Sequence, residues 1–310
     1  MAKTAFLFPG QGAQTVGMGK DFADASPAAA AVYEKASAVL GWDVADICFN
    51  GPQDELDNTS VCQPAILTTS IAILEAMREA GRKEPDACSA AAGLSLGEYT
   101  ALVMAGALEF ADALKLVQHR GMFMEDACRE NPGAMAGVIG LDDDIVEALC
   151  AEARETGMVV AANFNCPGQV VISGSVAGVA RASELAKERG AKRVRPLAVS
   201  GAFHSPLMAP AAERLEADLS ATPFVPCKFD VIANVTAGPV RSPENVRVCL
   251  AKQLRSPVRW TQSVLYLADN GYNRLVEVGP GKVIAGLVRR IAPKAAMENV
   301  STVDALRKAP

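Results

Sequence analysis

Ser95 lies in the stretch GLSLGEY at residues 93–99, at the centre of the pattern G-x-S-x-G. A serine hydroxyl attacks an acyl group when a base removes its proton and hydrogen-bond donors stabilise the oxyanion that forms. Glycines on both sides of the serine give the backbone room for a sharp strand–turn–helix connection that lifts the hydroxyl above a sheet. The pentapeptide also occurs by chance in glycine-rich chains. It therefore indicates acyl chemistry only together with a base and the elements that position it.

The chain contains two histidines that could act as this base. His119 lies in ADALKLVQHRGMFMEDA, which predicts a helix with His119 at its surface or boundary. His204 lies in SGAFHSPLM, a loop sequence, and loops displayed by a scaffold commonly carry catalytic groups. A loop histidine is also often a simple turn residue. Since the only other choice is His119, His204 is the better candidate.

Arg120 follows His119 on the same predicted helix. At about 100° per residue, this helix carries an apolar stripe formed by Leu114, Val117, Gly121 and Met124. Arg120 lies at the edge of the stripe, so its side chain either faces inward or extends along the surface with its charged end in water. A half-buried arginine near an acyl-binding serine would favour an acyl group that ends in a carboxylate.

The elements that must position these residues alternate between strands and helices. TAFLFPG near the amino terminus, residues 87–93 and RLVEVGPG at 274–281 predict strands, whereas residues 63–80 and 96–105 predict helices. Residues 134–199 predict a separate unit with the order β-α-β-β-α-β, which is the ferredoxin-like arrangement. We therefore expect a large α/β domain interrupted by a small inserted domain.

Composition narrows the possible functions. Charged residues form 21% of the 310-residue chain and balance to a net charge of −5, which argues against general nucleic-acid binding. We expect no membrane span, and the first apolar run is too short for a signal peptide. The eight cysteines form no CxxC pair, which predicts reduced thiols in a cytoplasmic protein and, with two histidines, no metal site. PGQGAQTVGMGK fits neither dinucleotide- nor phosphate-binding glycine pattern.

Over nearly its whole length, the sequence resembles the malonyl-CoA:acyl carrier protein transacylases of fatty-acid synthesis and their polyketide relatives. Seven motifs carry the resemblance in order: FPGQGAQ, GLSLGEYTALV, QHRGMFM, NFNCPGQVVISG, SGAFHSPLM, QLRSPVRW and EVGPGKV. The resemblance implies an α/β-hydrolase-like domain formed by residues 1–130 and 199–310, with a ferredoxin-like domain at 131–198.

The resemblance also implies a role for individual residues. Ser95 would be the nucleophile and His204 its base, with Arg120 pairing with the malonyl carboxylate. Gln11 and the backbone N–H of Leu96 would form the oxyanion hole. The carbonyl of Gln253 would orient the histidine, and Phe203 and Asn165 would bind the substrate. Phe203 matches the pattern associated with malonyl as opposed to methylmalonyl units. One departure is Leu94, which stands where the family often has a histidine, so any contribution of that histidine is in doubt here.

The implied reaction is ping-pong transfer of malonyl from malonyl-CoA through Ser95 to the phosphopantetheine thiol of acyl carrier protein, with no bound cofactor. The implied protein is a cytoplasmic enzyme, which we expect to be a monomer. An acidic carrier protein would need a basic patch, and the candidates are Lys192, Arg193 and Arg195, or Arg289, Arg290 and Lys294. The alternatives are an acyltransferase serving polyketide synthesis, a serine esterase, and a non-enzymatic module that docks carrier protein.

Overall fold

The computed structural model describes residues 3–199 and 201–308. Ser200, the first residue of the motif SGAFHSPLM, and residues 1, 2, 309 and 310 lie outside the described residues. The described strands are β1 Thr4–Phe8, β2 Ala90–Gly93, β3 Gly133–Ile139, β4 Val159–Cys166, β5 Gln169–Ser175, β6 Arg193–Pro196, β7 Asp230–Ile232, β8 Pro239–Val240, β9 Arg274–Val278 and β10 Ala296–Val300. The protein has a mixed α/β fold.

Helices connect and cover these strands. They are α1 Lys20–Ala25, α2 Pro27–Leu40, α3 Val44–Asn50, α4 Gln53–Leu56, α5 Thr59–Glu79, α6 Gly97–Met104, α7 Phe110–Glu130, α8 Asp143–Ala153, α9 Val176–Glu188, α10 Ala209–Ala221, α11 Pro243–Gln253, α12 Trp260–Asp269, α13 Val283–Ile291 and α14 Val303–Lys308, with a 3₁₀ turn at Pro206–Met208. The sequence patterns predict α5, α6 and α7, whereas no element is predicted for the segment that forms α1 to α4.

The larger sheet has the strand order β10-β9-β1-β2-β7-β8. All neighbouring strands are parallel except β7 and β8. Side chains of β1 alternate between two cores: Phe6 and Phe8 belong to one apolar cluster, whereas Ala5 and Leu7 belong to another on the opposite face. Helices therefore cover both faces, as expected for a parallel sheet.

The smaller sheet is formed by residues of the segment 133–196. Its elements follow the order β3-α8-β4-β5-α9-β6, and its four antiparallel strands are arranged β4-β5-β3-β6. The apolar faces of α8 and α9 pack on this sheet in a core that includes Val146, Leu149 and Leu185. This element order is the one that the sequence pattern predicts, and it is separated from the larger sheet.

Helices α5 and α7 pack against each other. α5 is the one described helix whose length and composition could suit a membrane span, because an 18-residue window has a mean hydropathy of 1.3. However, 83% of that window is buried inside the protein. The helix is therefore best interpreted as a core helix.

Candidate active site

The candidate site lies where parallel strands of the larger sheet end. Gln11 follows β1, Ser95 follows β2 and Asn234 follows β7, and these strands are neighbours in the sheet. The carboxyl ends of parallel strands open at the same edge, which is where α/β proteins commonly bind their ligands. The fold thus brings together segments that are far apart in the sequence.

Ser95 occupies a strained turn between β2 and α6. Its φ angle is +54°, in the left-handed region that non-glycine residues rarely adopt. The turn is possible because Gly93 and Gly97 lack side chains. An ideal Cβ on Gly93 would lie 1.8 Å from the carbonyl carbon of Gly97, and one on Gly97 would lie 2.2 Å from the carbonyl oxygen of Phe8. The two glycines flanking the serine are therefore required by close backbone contact.

His204 is bonded to Ser95. Its Nε2 lies 2.9 Å from the Ser95 hydroxyl oxygen, and its Nδ1 lies 2.9 Å from the backbone carbonyl oxygen of Gln253. A carbonyl oxygen only accepts, so Nδ1 carries the proton and Nε2 is free to accept from the serine. Burial, and then repulsion by Arg120, lower the pKa of His204 to about 4. The imidazole is therefore neutral at pH 7 and able to act as a base.

Arg120 faces inward and is only 1% exposed, so the surface alternative considered for its side chain is wrong. Its guanidinium donates hydrogen bonds to Ser95 Oγ at 2.9 Å, Gln253 Oε1 at 3.0 Å and Gln63 Oε1 at 2.7 Å. All three acceptors are neutral, and burial lowers the pKa of Arg120. Among the described residues, none accepts a hydrogen bond from its Nε–H. The site thus holds a buried cation, in contact with the nucleophile, that no carboxylate neutralises directly.

Gln11 and Leu96, the residues predicted to form the oxyanion hole, lie after β1 and directly after Ser95, respectively. Gln11 lines a cavity of about 320 Å³, together with Phe203 and Cys128, and its amide donates to Thr59 Oγ1 at 3.2 Å. Leu96 is fully buried at the start of α6. Within residues 3–199 and 201–308, no hydrogen bond uses the N–H of Leu96. This N–H can therefore donate to an oxyanion formed next to Ser95.

The two remaining predicted residues differ in their placement. Phe203 is half-buried and packs against Met135, Ala162 and Val171 of the smaller sheet, so it lies at the junction of the two sheets. Asn165 is half-exposed on β4, at an irregularity in the pairing with β5. In the described part of the chain, Asn165 makes no hydrogen bond to Ser95, His204 or Arg120. Its role in substrate binding stays a prediction.

Sequence reasoning missed three buried polar residues around the site: Gln63, Glu98 and Asn234. Asn234 accepts a hydrogen bond from the backbone N–H of Ser95 at 2.7 Å and donates to the carbonyl of Gly93 at 2.7 Å, so it fixes both sides of the turn. No pattern around Asn234 indicates this role. Glu98, by contrast, lies within GLSLGEY, and its charge in an otherwise apolar stretch was a usable signal.

The basic candidates for carrier docking lie on two surfaces. Lys192, Arg193 and Arg195 are exposed: Lys192 directly precedes β6, and the two arginines lie on this edge strand of the smaller sheet. Arg290 instead donates to Gln169 Oε1 at 2.9 Å and to the carbonyl of Pro167 at 2.6 Å, so it is engaged in joining α13 to the smaller sheet. Arg289 and Lys294 are exposed, so both groups offer positive charge at the surface.

The family match agrees with this geometry. Residues 5–308 match the protein family described as Acyl transferase domain. Together with a serine–histidine pair at the end of a parallel sheet, this match defines the protein class as acyltransferase. The chain is 47% identical over 292 residues to malonyl CoA-acyl carrier protein transacylase of Bacillus subtilis (strain 168), which covers 94% of this chain and 91% of that protein. The corresponding protein of Escherichia coli (strain K12) is 46% identical over 291 residues, covering 94% and 93%.

Solved structures give the same result. The acyl-carrier-protein S-malonyltransferase of Burkholderia pseudomallei 1710b has a TM-score of 0.95 at 44% identity, covering 99% of this chain and 98% of that one. A malonyl-transacylase in complex with its type II PKS acyl-carrier protein also has a TM-score of 0.95, at 42% identity and 99% coverage of both chains. The chain belongs to the malonyl CoA-acyl carrier protein transacylase family. This membership favours an acyltransferase over the serine esterase and the non-enzymatic docking module.

Proposed function

We propose that this protein transfers the malonyl group from malonyl-CoA to the phosphopantetheine thiol of acyl carrier protein by a ping-pong mechanism through a Ser95 acyl-enzyme. The observation that carries the proposal is the contact of one serine hydroxyl with both a neutral imidazole and a buried guanidinium. The first group supplies base catalysis, and the second supplies a site for the malonyl carboxylate.

In the first half-reaction, Ser95 Oγ attacks the thioester carbonyl while His204 Nε2 accepts the hydroxyl proton. The carbonyl oxygen becomes an oxyanion, which the N–H of Leu96 and the side chain of Gln11 stabilise. Collapse of the tetrahedral intermediate breaks the C–S bond, and His204 returns the proton to the sulfur of coenzyme A. In the second half-reaction the carrier thiol gives its proton to His204 and its sulfur attacks the carbonyl carbon of the serine ester. The C–O bond to Ser95 then breaks, and His204 returns that proton to Ser95 Oγ.

Arg120 gives the site its preference for an acyl group with a free carboxylate. A charge-assisted hydrogen bond contributes roughly 1.5–3 kcal/mol. An acetyl group leaves the guanidinium bonded only to the neutral groups of Gln63, Gln253 and Ser95, so no carboxylate meets its buried charge directly. At about 1.4 kcal/mol per tenfold change, the carboxylate contact corresponds to discrimination of about 10- to 100-fold.

The orientation of His204 favours transfer to a thiol over hydrolysis. A neutral carbonyl, that of Gln253, accepts from Nδ1, whereas a full triad places a buried carboxylate there to stabilise the imidazolium. A base weakened in this way can deprotonate a thiol with a pKa near ~8.5 more readily than water with a pKa near ~15.7.

We therefore expect the malonyl-enzyme to persist in thiol-free buffer and to react on addition of carrier protein. The experiment forms the malonyl-enzyme, removes malonyl-CoA by gel filtration, and follows its mass with time. Addition of phosphopantetheinylated carrier protein should remove the added mass at least about 10²-fold faster than water does. Carrier protein without phosphopantetheine is the control. Equal loss with and without the carrier thiol would refute the transfer mechanism.

The proposed function is consistent with two domains in the fold and with a docking surface for the carrier protein. The two sheets would represent an α/β-hydrolase-like domain at 1–130 and 199–310 and a ferredoxin-like domain at 131–198, supported by the strand order of the smaller sheet. The protein would act in the cytoplasm in fatty-acid biosynthesis, as a monomer without a bound cofactor, and β6 would offer the docking charges. A polyketide carrier is the second candidate, favoured by the likeness to a malonyl-transacylase solved with a type II PKS carrier.

A further inference from the structure

Glu98 is a buried carboxylate beside the site that the mechanism above does not use. It lies in the first turn of α6 and is 2% exposed. Its Oε2 accepts a hydrogen bond from the backbone N–H of Asn234 at 3.0 Å and another from the side-chain amide of Gln253 at 2.7 Å. Buried carboxylates are uncommon unless they are paired or serve a function. The partners of Glu98 are therefore informative.

Both partners hold the nucleophile in place. Asn234 accepts from the N–H of Ser95 at 2.7 Å, and Gln253 Nε2 donates to the carbonyl of Ser95 at 3.0 Å. Gln253 also contacts the other two functional groups, because its backbone carbonyl accepts from His204 and its Oε1 accepts from Arg120. A single carboxylate is thus linked, through two residues, to the serine, the histidine and the arginine.

Glu98 is the one anionic group among the contacts that fix which way the Gln253 amide points. The NH₂ end of that amide faces three acceptors: Glu98 Oε2 at 2.7 Å, the carbonyl of Ser95 at 3.0 Å and, at 3.5 Å, Asn234 Oδ1. The oxygen end is left facing Arg120. An anionic acceptor holds a donor more strongly than a neutral one, and polarisation of the amide makes its oxygen a better acceptor for the guanidinium. The negative charge therefore compensates Arg120 across the amide without occupying the N–H groups that would bind a substrate carboxylate.

Burial raises the pKa of Glu98 to about 7. The charged or titratable groups around it are Arg120 on α7, Cys249 on α11 and Tyr99 on its own helix, and His204, in the loop after β6, lies on the far side of Gln253. Arg120 is the only one of these that is charged at pH 7 in the described structure. Because the pKa of Glu98 is raised in the folded state, ionisation of this carboxyl group lowers the stability of the fold. A function in the site explains why a residue with this cost in stability is present.

We propose that Glu98 is a positioning residue whose negative charge orients the Gln253 amide and so aligns Ser95, His204 and Arg120 for acylation by malonyl-CoA. This inference rests on the proposed Ser95 acyl-enzyme. Ionised Glu98 then defines the active form of the site, and the protonated form leaves Arg120 without its compensating charge.

The test measures the rate of Ser95 acylation by malonyl-CoA in single-turnover experiments from about pH 5 to about pH 9, on both sides of the Glu98 pKa. In the unmodified protein the rate should rise through about pH 7, where His204, with a pKa of about 4, is already neutral. Glu98→Gln keeps the shape and one acceptor but lacks the charge. It should show a rate about 10-fold or more below the maximum and no rise near pH 7, as in the protonated form.

Glu277 provides a matched control. It is also fully buried, and its carboxylate accepts from the backbone N–H groups of Ile284 and Ala285 and from Asn299, none of which belongs to the site. Glu277→Gln should therefore keep the normal rate and pH profile. A Glu98→Gln variant with the same profile as the unmodified protein would overturn the inference and leave Glu98 a packing residue.

Two further measurements separate this inference from its premises. If the unmodified protein is never labelled on Ser95, that result refutes the proposed function and not the role of Glu98.

Thermal unfolding measures the effect of Glu98 on stability. Because the Glu98 pKa is raised in the folded state, the contribution of this group to the free energy of unfolding is lost as pH rises through about 7. Glu98→Gln should therefore lose less stability than the unmodified protein over that range. Should that variant not fold, a flat profile near pH 7 in the unmodified protein would contradict the inference by itself.

Discussion

Replacing His204 with alanine should lower the rate of Ser95 acylation by malonyl-CoA by about 10⁴-fold, with little change in the affinity for the substrate. Nε2 of this imidazole lies 2.9 Å from the hydroxyl, and its tautomer is fixed by the Gln253 carbonyl. Among the described residues, no other side chain near Ser95 Oγ can accept its proton, since Arg120 only donates. Loss of the imidazole therefore leaves an unactivated alcohol.

His119 is the appropriate control for this variant. Its side chain is 48% exposed and is paired with Asp218, away from Ser95. His119→Ala should keep the acylation rate within about twofold, because it leaves every contact of the site intact. Rates are measured by rapid quench and mass spectrometry, which separates acylation from the later transfer. A His204→Ala rate within tenfold of the unmodified protein would show that this imidazole is not the base.

Replacing Arg120 with alanine should change substrate preference by about 10- to 100-fold in favour of acetyl-CoA over malonyl-CoA. The guanidinium that would meet the malonyl carboxylate disappears, whereas the hydroxyl and the imidazole remain. Removal of the buried cation also removes one cause of the low His204 pKa, so that pKa should rise toward its ordinary value. The measurement is the ratio of kcat/KM for the two thioesters, in the unmodified protein and the variant.

Arg214→Ala is a matched control for the loss of one arginine. Arg214 is about half exposed, pairs with Asp126 at 2.7 Å and lies over the ring of Phe123, so its charge faces solvent and not the site. This variant should retain the malonyl preference. An Arg120→Ala enzyme with an unchanged preference would show that another group recognises the carboxylate.

Local sequence patterns predicted the separate parts of the site well. The glycines around Ser95 indicate a tight turn because only glycine tolerates such close backbone contact, and the structure shows both contacts. The apolar stripe on α7 predicts which residues are buried, and Leu114, Val117, Gly121 and Met124 all are. Arg120 lies at the edge of that stripe. Periodicity alone left its direction open, because a long side chain there can turn either way.

Contacts between distant segments could not be predicted from these patterns. Asn234 and Gln63 reach the site only through the strand order and the packing of α5 on α7, neither of which is encoded in a short motif. Helices α1, α3 and α4 have only four to seven residues each, too few for a clear helical period. The 14-residue α2, by contrast, has Ser26 and Pro27 at its start and Gly41 at its end, and these signals could have predicted it. The meeting of Ser95, His204 and Arg120 in one place came from the family resemblance, and the structure supplies the distances.

Trapping the acyl-enzyme tests the central claim most directly. The protein is incubated with malonyl-CoA without carrier protein, digested with protease and searched by mass spectrometry for malonyl-bearing peptides, with Ser95→Ala in parallel. We expect one malonyl group on Ser95, far less labelling from acetyl-CoA, and none in the corresponding peptide of the variant. Malonyl on another residue, or equal labelling of the variant, would contradict it.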